Sequence, residues 1–151
     1  MKLTRRQALM VSAGALAAVS SGLTSSTAFA DAAAANKKLM EFTGGKTPQS
    51  GKVTLIAPEI AENGNTVPVA VAVQSPMTDK SYVQSVMLLA EDNPNPAVIT
   101  FNFSPMSGEA KATTRMRLAK TQNVIAVAKM NDSSTYMDKK QVKVTIGGCG
   151  G

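Results

Sequence analysis

Strict alternation of apolar side chains in one short segment constrains the fold of this chain more than any other feature. In "VPVAVAV", residues 67–73, valine stands at every second position, with Pro68, Ala70 and Ala72 between. Successive side chains of a β-strand point to opposite faces, so a period of two places the four valines on one face of a strand. Proline cannot donate to a neighbouring strand, so Pro68 is expected near the start of this strand or at a sheet edge.

Six further runs have a strand-like composition and are separated by turn signals such as "NGNT" and "DNPNP". They lie at residues 52–57, 82–91, 96–105, 108–119, 123–130 and 141–146. An alanine-rich helix is expected before them at 32–42, ended by Gly44-Gly45. Seven short strands after one helix predict an all-β fold, an immunoglobulin-like β-sandwich with a short N-terminal helix.

The first thirty residues have the pattern of a cleaved export signal. Lys2, Arg5 and Arg6 form a positive start, an apolar run covers residues 8–19, and Ala28-Phe29-Ala30 is a small-x-small cleavage site. The apolar run falls short of the about 20 residues that a membrane span needs, so cleavage and not anchoring is expected.

The adjacent arginines indicate the export route. "TRRQAL", residues 4–9, resembles the twin-arginine pattern that directs folded proteins across the bacterial membrane. Ala8 stands where phenylalanine is commoner, and an ordinary secretory leader with two adjacent arginines is the alternative. We expect a periplasmic protein, exported by the twin-arginine route and free of the membrane after cleavage.

Composition excludes several kinds of function. Without the leader the net charge falls from +6 to about +3, and with no Trp and only Arg115 and Arg117 as arginines, nucleic acid is not an expected partner. The chain contains no histidine, the commonest general base and metal ligand. With a single cysteine, neither a zinc site of Cys and His nor a Cys-His pair can form. We expect no cofactor, no metal and no catalysis by this chain alone.

The single cysteine, Cys149, lies in the terminal segment "VKVTIGGCGG". Four glycines flank it: Gly147, Gly148, Gly150 and Gly151. They offer no apolar side chains for burial, and an odd cysteine in an exported protein forms an intermolecular disulfide or is a reactive thiol. Ordering four glycines is entropically costly, so a mobile arm is predicted at 147–151, after a β-domain at 31–146.

This tail on an exported all-β domain resembles the SoxY family, the sulfur carriers of the bacterial sulfur-oxidation (Sox) system. The resemblance rests on the terminal Gly-Gly-Cys-Gly-Gly, on the twin-arginine-like leader and on "PEIAENGNTVPVAVAV" at 58–73, and it covers nearly the whole chain. The Gly-Gly-Cys-Gly-Gly segment is the specific part, because it stands at the end of the chain and holds its only cysteine.

The resemblance implies a covalent carrier and not an enzyme. Cys149 would be the attachment point, and the four glycines the flexible arm. A SoxZ-like subunit would form a heterodimer with the chain. A haem c enzyme of the SoxAX type would attach thiosulfate to the cysteine, a SoxB-type hydrolase would release sulfate, and a sulfane dehydrogenase would oxidise the remaining sulfur.

Two other interpretations use the same tail. An exported binding or structural module would use Cys149 to form a disulfide-linked homodimer, which gains no function on reduction. A ubiquitin-like sulfur donor would use a terminal Gly-Gly carboxylate, but such donors are cytoplasmic and contain a helix within the fold. The export signal and the seven strand-like runs disfavour this second alternative.

Overall fold

The computed structural model describes residues 30–148, with side chains from residue 32 onward. Residues 1–29 of the expected export signal and residues 149–151 lie outside this range. One helix and eight strands occur in the described part: α1 Ala30–Thr43, β1 Val53–Ile56, β2 Ile60–Asn63, β3 Val67–Val73, β4 Val83–Ala90, β5 Ala97–Asn102, β6 Ala110–Met116, β7 Gln122–Met130 and β8 Thr135–Ile146. A short 3-10 turn, Pro105–Ser107, joins β5 to β6. Between residues 30 and 148, no helix has the length and apolar character needed to cross a membrane.

The strands form two sheets. The smaller has the order β1-β3-β6 and is antiparallel, and the larger has the order β2-β8-β7-β4-β5. All neighbours in the larger sheet are antiparallel except β2 and β8, which run in parallel. The two sheets pack face to face, so the predicted all-β sandwich of immunoglobulin-like type is confirmed.

The core between the sheets is built largely from aliphatic side chains. The four valines of β3 are all buried, as the alternation predicts, and Pro68 stands at the second position of the strand with its side chain exposed. From the opposite sheet, Val86 and Leu88 of β4 are fully buried against them. With few aromatic residues in the chain, valine, leucine, methionine and alanine fill this layer.

Helix α1 covers the outer face of the larger sheet. Leu39 of the helix packs with Met87 and Leu89 of β4 and with Ile125 and Val127 of β7 in a second apolar cluster. β4 and β7 are therefore buried on both faces, which explains why they are apolar almost throughout and alternate less than β3.

The structure has eight strands where the sequence predicted about seven. The sequence predicts no strand at β2, "IAEN", or at the first half of β8, "TYMDKK". β2 is a short edge strand with one buried residue, and in β8 the half-buried Tyr136 and Met137 are followed by the exposed Lys139 and Lys140, so neither segment shows a regular apolar alternation. β2 pairs with β8, 83 residues away, so local pattern gives no sign of it, whereas the first half of β8 pairs with the adjacent β7 across a short turn.

Candidate functional site

β8 carries the chain to its C-terminal end. Its antiparallel pairing with β7 ends at Val142, opposite Gln122. Beyond that point the Thr121 hydroxyl replaces the neighbouring strand, because the N–H of Val144 donates to Thr121 Oγ1 at 2.9 Å. On the other side β2 continues the pairing to Ile146, opposite Asn63. The strand is thus held on both sides close to its last residue.

The two glycines after Ile146 are bound to the domain by backbone hydrogen bonds. The N–H of Gly148 donates to the carbonyl of Leu118 at 3.0 Å, and the N–H of Leu118 donates to the carbonyl of Gly64 at 2.8 Å. The N–H of Gly64 in turn donates to the carbonyl of Ile146 at 2.8 Å. We call the backbone of Gly64, Leu118 and Ala119, against which Gly147 and Gly148 lie, the glycine socket.

The glycine socket leaves no room for side chains. A Cβ atom on Gly147 would lie 2.2 Å from the carbonyl oxygen of Ala119, and one on Gly148 would lie 2.8 Å from that of Gly64. A Cβ atom on Gly64 would lie 2.3 Å from the carbonyl oxygen of Leu118 and 2.7 Å from the nitrogen of Gly148. These obstacles are backbone atoms, which cannot move aside as a flexible side chain can.

This arrangement bears on where the predicted arm begins. The sequence predicts a mobile arm at 147–151, and in the structure Gly147 and Gly148 lie against the domain and Gly148 is buried. The prediction used the entropy of glycine alone, whereas here glycine permits a close approach of two backbones. Cys149, Gly150 and Gly151 lie outside the described residues, so their expected roles remain predictions.

The loop that carries the socket is held by a buried amide network. Asn93, which is 2% exposed, donates from Nδ2 to the carbonyl of Arg117 at 2.8 Å. Its Oδ1 accepts from the N–H of Ala119 at 3.0 Å and from Gln122 Nε2 at 2.8 Å. Between these contacts Leu118 is fully buried in the core. Asn93 thus holds Arg117 and Ala119 in place. These are the two neighbours of Leu118, whose carbonyl accepts the hydrogen bond from Gly148.

The charges around the socket are modest. Arg117 is exposed, and Lys120 lies 3.9 Å from Asp92 at the same end of the sandwich. The pKa of Asp132 is lowered by hydrogen bonds from the Ser134 hydroxyl and backbone N–H, but Asp132 lies at the other end of β8. Over residues 30–148, no group of three or more acidic, histidine or cysteine side chains is placed to hold a metal ion.

Sequence reasoning did not find Gly64, Leu118 or Asn93. Gly64 lies in "NGNT", which has the composition of a turn, and Leu118 lies in the predicted strand at 108–119. A glycine that tolerates an ordinary backbone conformation but no Cβ has no signature in a single sequence. Asn93 stands in "DNPNP", whose turn composition conceals a buried asparagine.

Comparisons with known proteins agree with this architecture. A sequence model described as "Sulfur oxidation protein SoxY" matches residues 39–149, a range that ends at the cysteine. The solved structure of the sulfur carrier protein SoxY from Chlorobium limicola f. thiosulfatophilum is similar, with a TM-score of 0.62 and 32% identity, over 76% of this chain and 99% of that one. No match was found among curated proteins.

Two superoxide reductases share the fold at lower identity. The enzyme from Ignicoccus hospitalis has a TM-score of 0.55 and 23% identity, over 62% of this chain and 80% of that one. The enzyme from Nanoarchaeum equitans has a TM-score of 0.51 and 16% identity, over 63% and 99%. These similarities concern the sandwich alone, whereas the matched family range runs through the socket to Cys149, and this chain belongs to the SoxY family of sulfur oxidation proteins.

Proposed function

We propose that this chain is a periplasmic carrier on which thiosulfate-derived groups are attached to Cys149 and passed between the enzymes of sulfur oxidation. The observation that carries the proposal is the position of the only cysteine. It follows directly after Gly148, which is bonded to the edge of the domain, in a chain of the SoxY family. The chain has no second cysteine with which this thiol could pair.

Loading is an oxidative coupling. The Cys149 thiol loses its proton, a sulfur–sulfur bond forms to the outer sulfur of thiosulfate, and two electrons pass to a haem c enzyme of the SoxAX type. The product is a cysteine S-thiosulfonate. Hydrolysis of its terminal sulfur–sulfur bond by a SoxB-type enzyme adds one water, releases sulfate and a proton, and leaves a persulfide on Cys149.

The chain itself supplies the thiol to which the group is attached and presents that group to the enzymes. It has no histidine to act as a general base, so the partner enzymes activate the thiol and the water. The exposed Arg117 beside the socket gives a positive charge at the end where an anionic group would be carried. A sulfane dehydrogenase would oxidise the persulfide before the next hydrolysis.

Assembly with a SoxZ-like subunit accounts for the export signal that we expect. The twin-arginine route accepts folded cargo, so a subunit without its own signal would leave the cytoplasm bound to this chain. The proposal therefore includes a heterodimer, formed before export, and a periplasmic location after cleavage of residues 1–30.

Mass spectrometry of the C-terminal peptide tests the proposal. The chain, with its partner subunit, is incubated with thiosulfate and the haem c enzyme and then cleaved with trypsin, which releases "VTIGGCGG", residues 144–151, after Lys143. We expect this peptide to gain a thiosulfonate group that reductant removes, and Cys149→Ser to gain nothing. A peptide that stays unmodified, or that appears only as a disulfide-linked dimer, would overturn the proposal; the dimer would favour the homodimer alternative.

A further inference from the structure

We propose that the glycine socket fixes the point from which the carrier arm leaves the domain, so that the arm pivots after Gly148 and not after Ile146. In this proposal, which rests on the proposed function, Gly64 and Asn93 are positioning residues for Cys149. They never touch the carried group, but they determine where the residue that bears it starts.

Glycine is needed in the socket because there is no room for a side chain, and not because the backbone must be flexible. Gly44, Gly45, Gly51 and Gly108 have positive φ angles, a conformation that favours glycine. Gly64, Gly147 and Gly148 do not have positive φ angles, so their backbone conformation is open to other residues. What excludes a side chain at these three positions is backbone atoms 2.2 to 2.8 Å from the place of the Cβ atom.

The socket is also built to stay in place. Three successive backbone hydrogen bonds link Gly148 to Leu118, Leu118 to Gly64 and Gly64 to Ile146, which closes a ring around the end of β8. Asn93 holds the loop of the socket through Arg117 and Ala119. A segment meant only to swing freely from the strand end would need neither the ring nor the buried amide.

A fixed pivot lowers the entropy that the arm loses on entering a partner. If Gly147 and Gly148 were free, each would have to be ordered when the tip binds in an enzyme channel, at a cost equal to roughly tenfold in affinity per residue. With both already bound to the domain, this part of the cost is removed. The chemical step at the thiol is the same in either case.

Gly64→Ala is the direct test, because the added methyl group lies within the socket and far from the thiol in sequence. Gly148→Ala is a second variant that crowds the same contact from the arm side. Gly150→Ala is the matched comparison, since it adds the same methyl group beyond the cysteine. Exchange of the Val69 amide, in the centre of β3, reports whether each variant is folded.

Two readouts are followed in the chain with its partner subunit. The first is hydrogen exchange at the Gly148 amide, which we expect to become about tenfold faster in Gly64→Ala and Gly148→Ala and to stay at the parent rate in Gly150→Ala. The second is loading by the haem c enzyme with thiosulfate. We expect the KM for the Gly64→Ala carrier to rise roughly tenfold if one glycine is released and roughly a hundredfold if both are, with kcat unchanged, a split that simple destabilisation does not produce.

An equal exchange rate of the Gly148 amide in the parent and in Gly64→Ala would show that the socket does not hold Gly148. Faster exchange with an unchanged KM would overturn its positioning role. A parent chain that takes up no thiosulfate at Cys149 would instead overturn the proposed function, and the exchange result would then still decide whether the socket exists.

Discussion

The two ends of β8 are closed by different means. At the hairpin end, the turn from β7 is held by side chains: Asp132 Oδ1 accepts from the Ser134 N–H at 2.8 Å, and Asn131 Oδ1 accepts from the N–H of Tyr82 at 3.1 Å. At the C-terminal end, the ring of Gly64, Leu118 and Gly148 consists of backbone groups alone. The hairpin end thus adds side-chain hydrogen bonds to its backbone pairing, whereas Gly148 itself is held by backbone groups alone, with Asn93 supporting the loop around it.

This difference determines how each end responds to substitution. A turn closed by exposed side chains loses little when one of them changes, because water replaces the lost hydrogen bond. A contact between two backbones fails when any side chain is added, because backbone atoms cannot move aside. The C-terminal end, where the cysteine is attached, is therefore the less tolerant of the two.

The largest effect is expected from Leu118→Ala, beneath the socket. Leu118 is fully buried, and removing its side chain leaves a cavity, so we expect the free energy of unfolding to fall by about 2–5 kcal/mol. Urea denaturation measures the change. Ile146→Ala is the control at the same end, because Ile146 is 69% exposed, and it should alter stability by less than about 0.5 kcal/mol. Similar losses in the two variants would show that the end of the domain is not packed as described.

Asn93→Ala comes next and tests the amide network. It leaves the Arg117 carbonyl, the Ala119 N–H and one Gln122 amide hydrogen without their partner, which should lower the free energy of unfolding by about 1–3 kcal/mol. Asn95→Ala is the matched control, since Asn95 is an exposed asparagine two residues away. If the two variants are equally stable, Asn93 does not hold the loop.

Much of the fold was accessible from the sequence because its signals are local. The alternation in β3 gave the strand and its buried face, and the alanine-rich segment gave the helix, although that begins at Ala30 and ends at Thr43. β2 depends on pairing with the distant β8, which no local pattern reports, and the first half of β8 pairs with the neighbouring β7 but lacks the apolar alternation that marks a strand.

The candidate site also has one part that local sequence predicts and one part that it does not. Cys149 is predicted as the attachment point because a single cysteine among glycines has few structural uses, and its role stays a prediction. The socket was missed because Gly64 and Leu118 are 54 residues apart in number and meet only in the folded chain through backbone atoms. Glycine in a turn and glycine in a close backbone contact are identical in a sequence, and only the neighbouring atoms distinguish them.

Two truncations sharpen the boundary between domain and arm. Removal of residues 149–151 leaves the socket filled and should not change the melting temperature. Removal of 147–151 also deletes the Gly148 to Leu118 hydrogen bond, which contributes about 0.5–1.5 kcal/mol, so we expect a fall in Tm of about 3–6 °C. Scanning calorimetry compares the two chains. Equal melting temperatures would mean that the arm begins after Ile146, as the glycine composition alone suggested.

The smallest effect is expected at the hairpin end, from Asp132→Asn. The Ser134 hydroxyl and N–H hold the pKa of Asp132 below its ordinary value of 3.8, so the charged form stabilises the folded state. That contribution is fully present above pH 3.8 and is lost as the pH falls through the lowered pKa, whereas asparagine keeps an acceptor oxygen but cannot titrate. The Tm of the parent minus that of the variant should be constant from about pH 5 to 7 and should shrink below about pH 4, by a small amount because Asp132 is exposed.

Thiosulfate loading should be the same in both chains, since β8 separates Asp132 from the socket by roughly 35–40 Å. A loading defect in Asp132→Asn would show that the two ends of β8 are coupled and do not act independently.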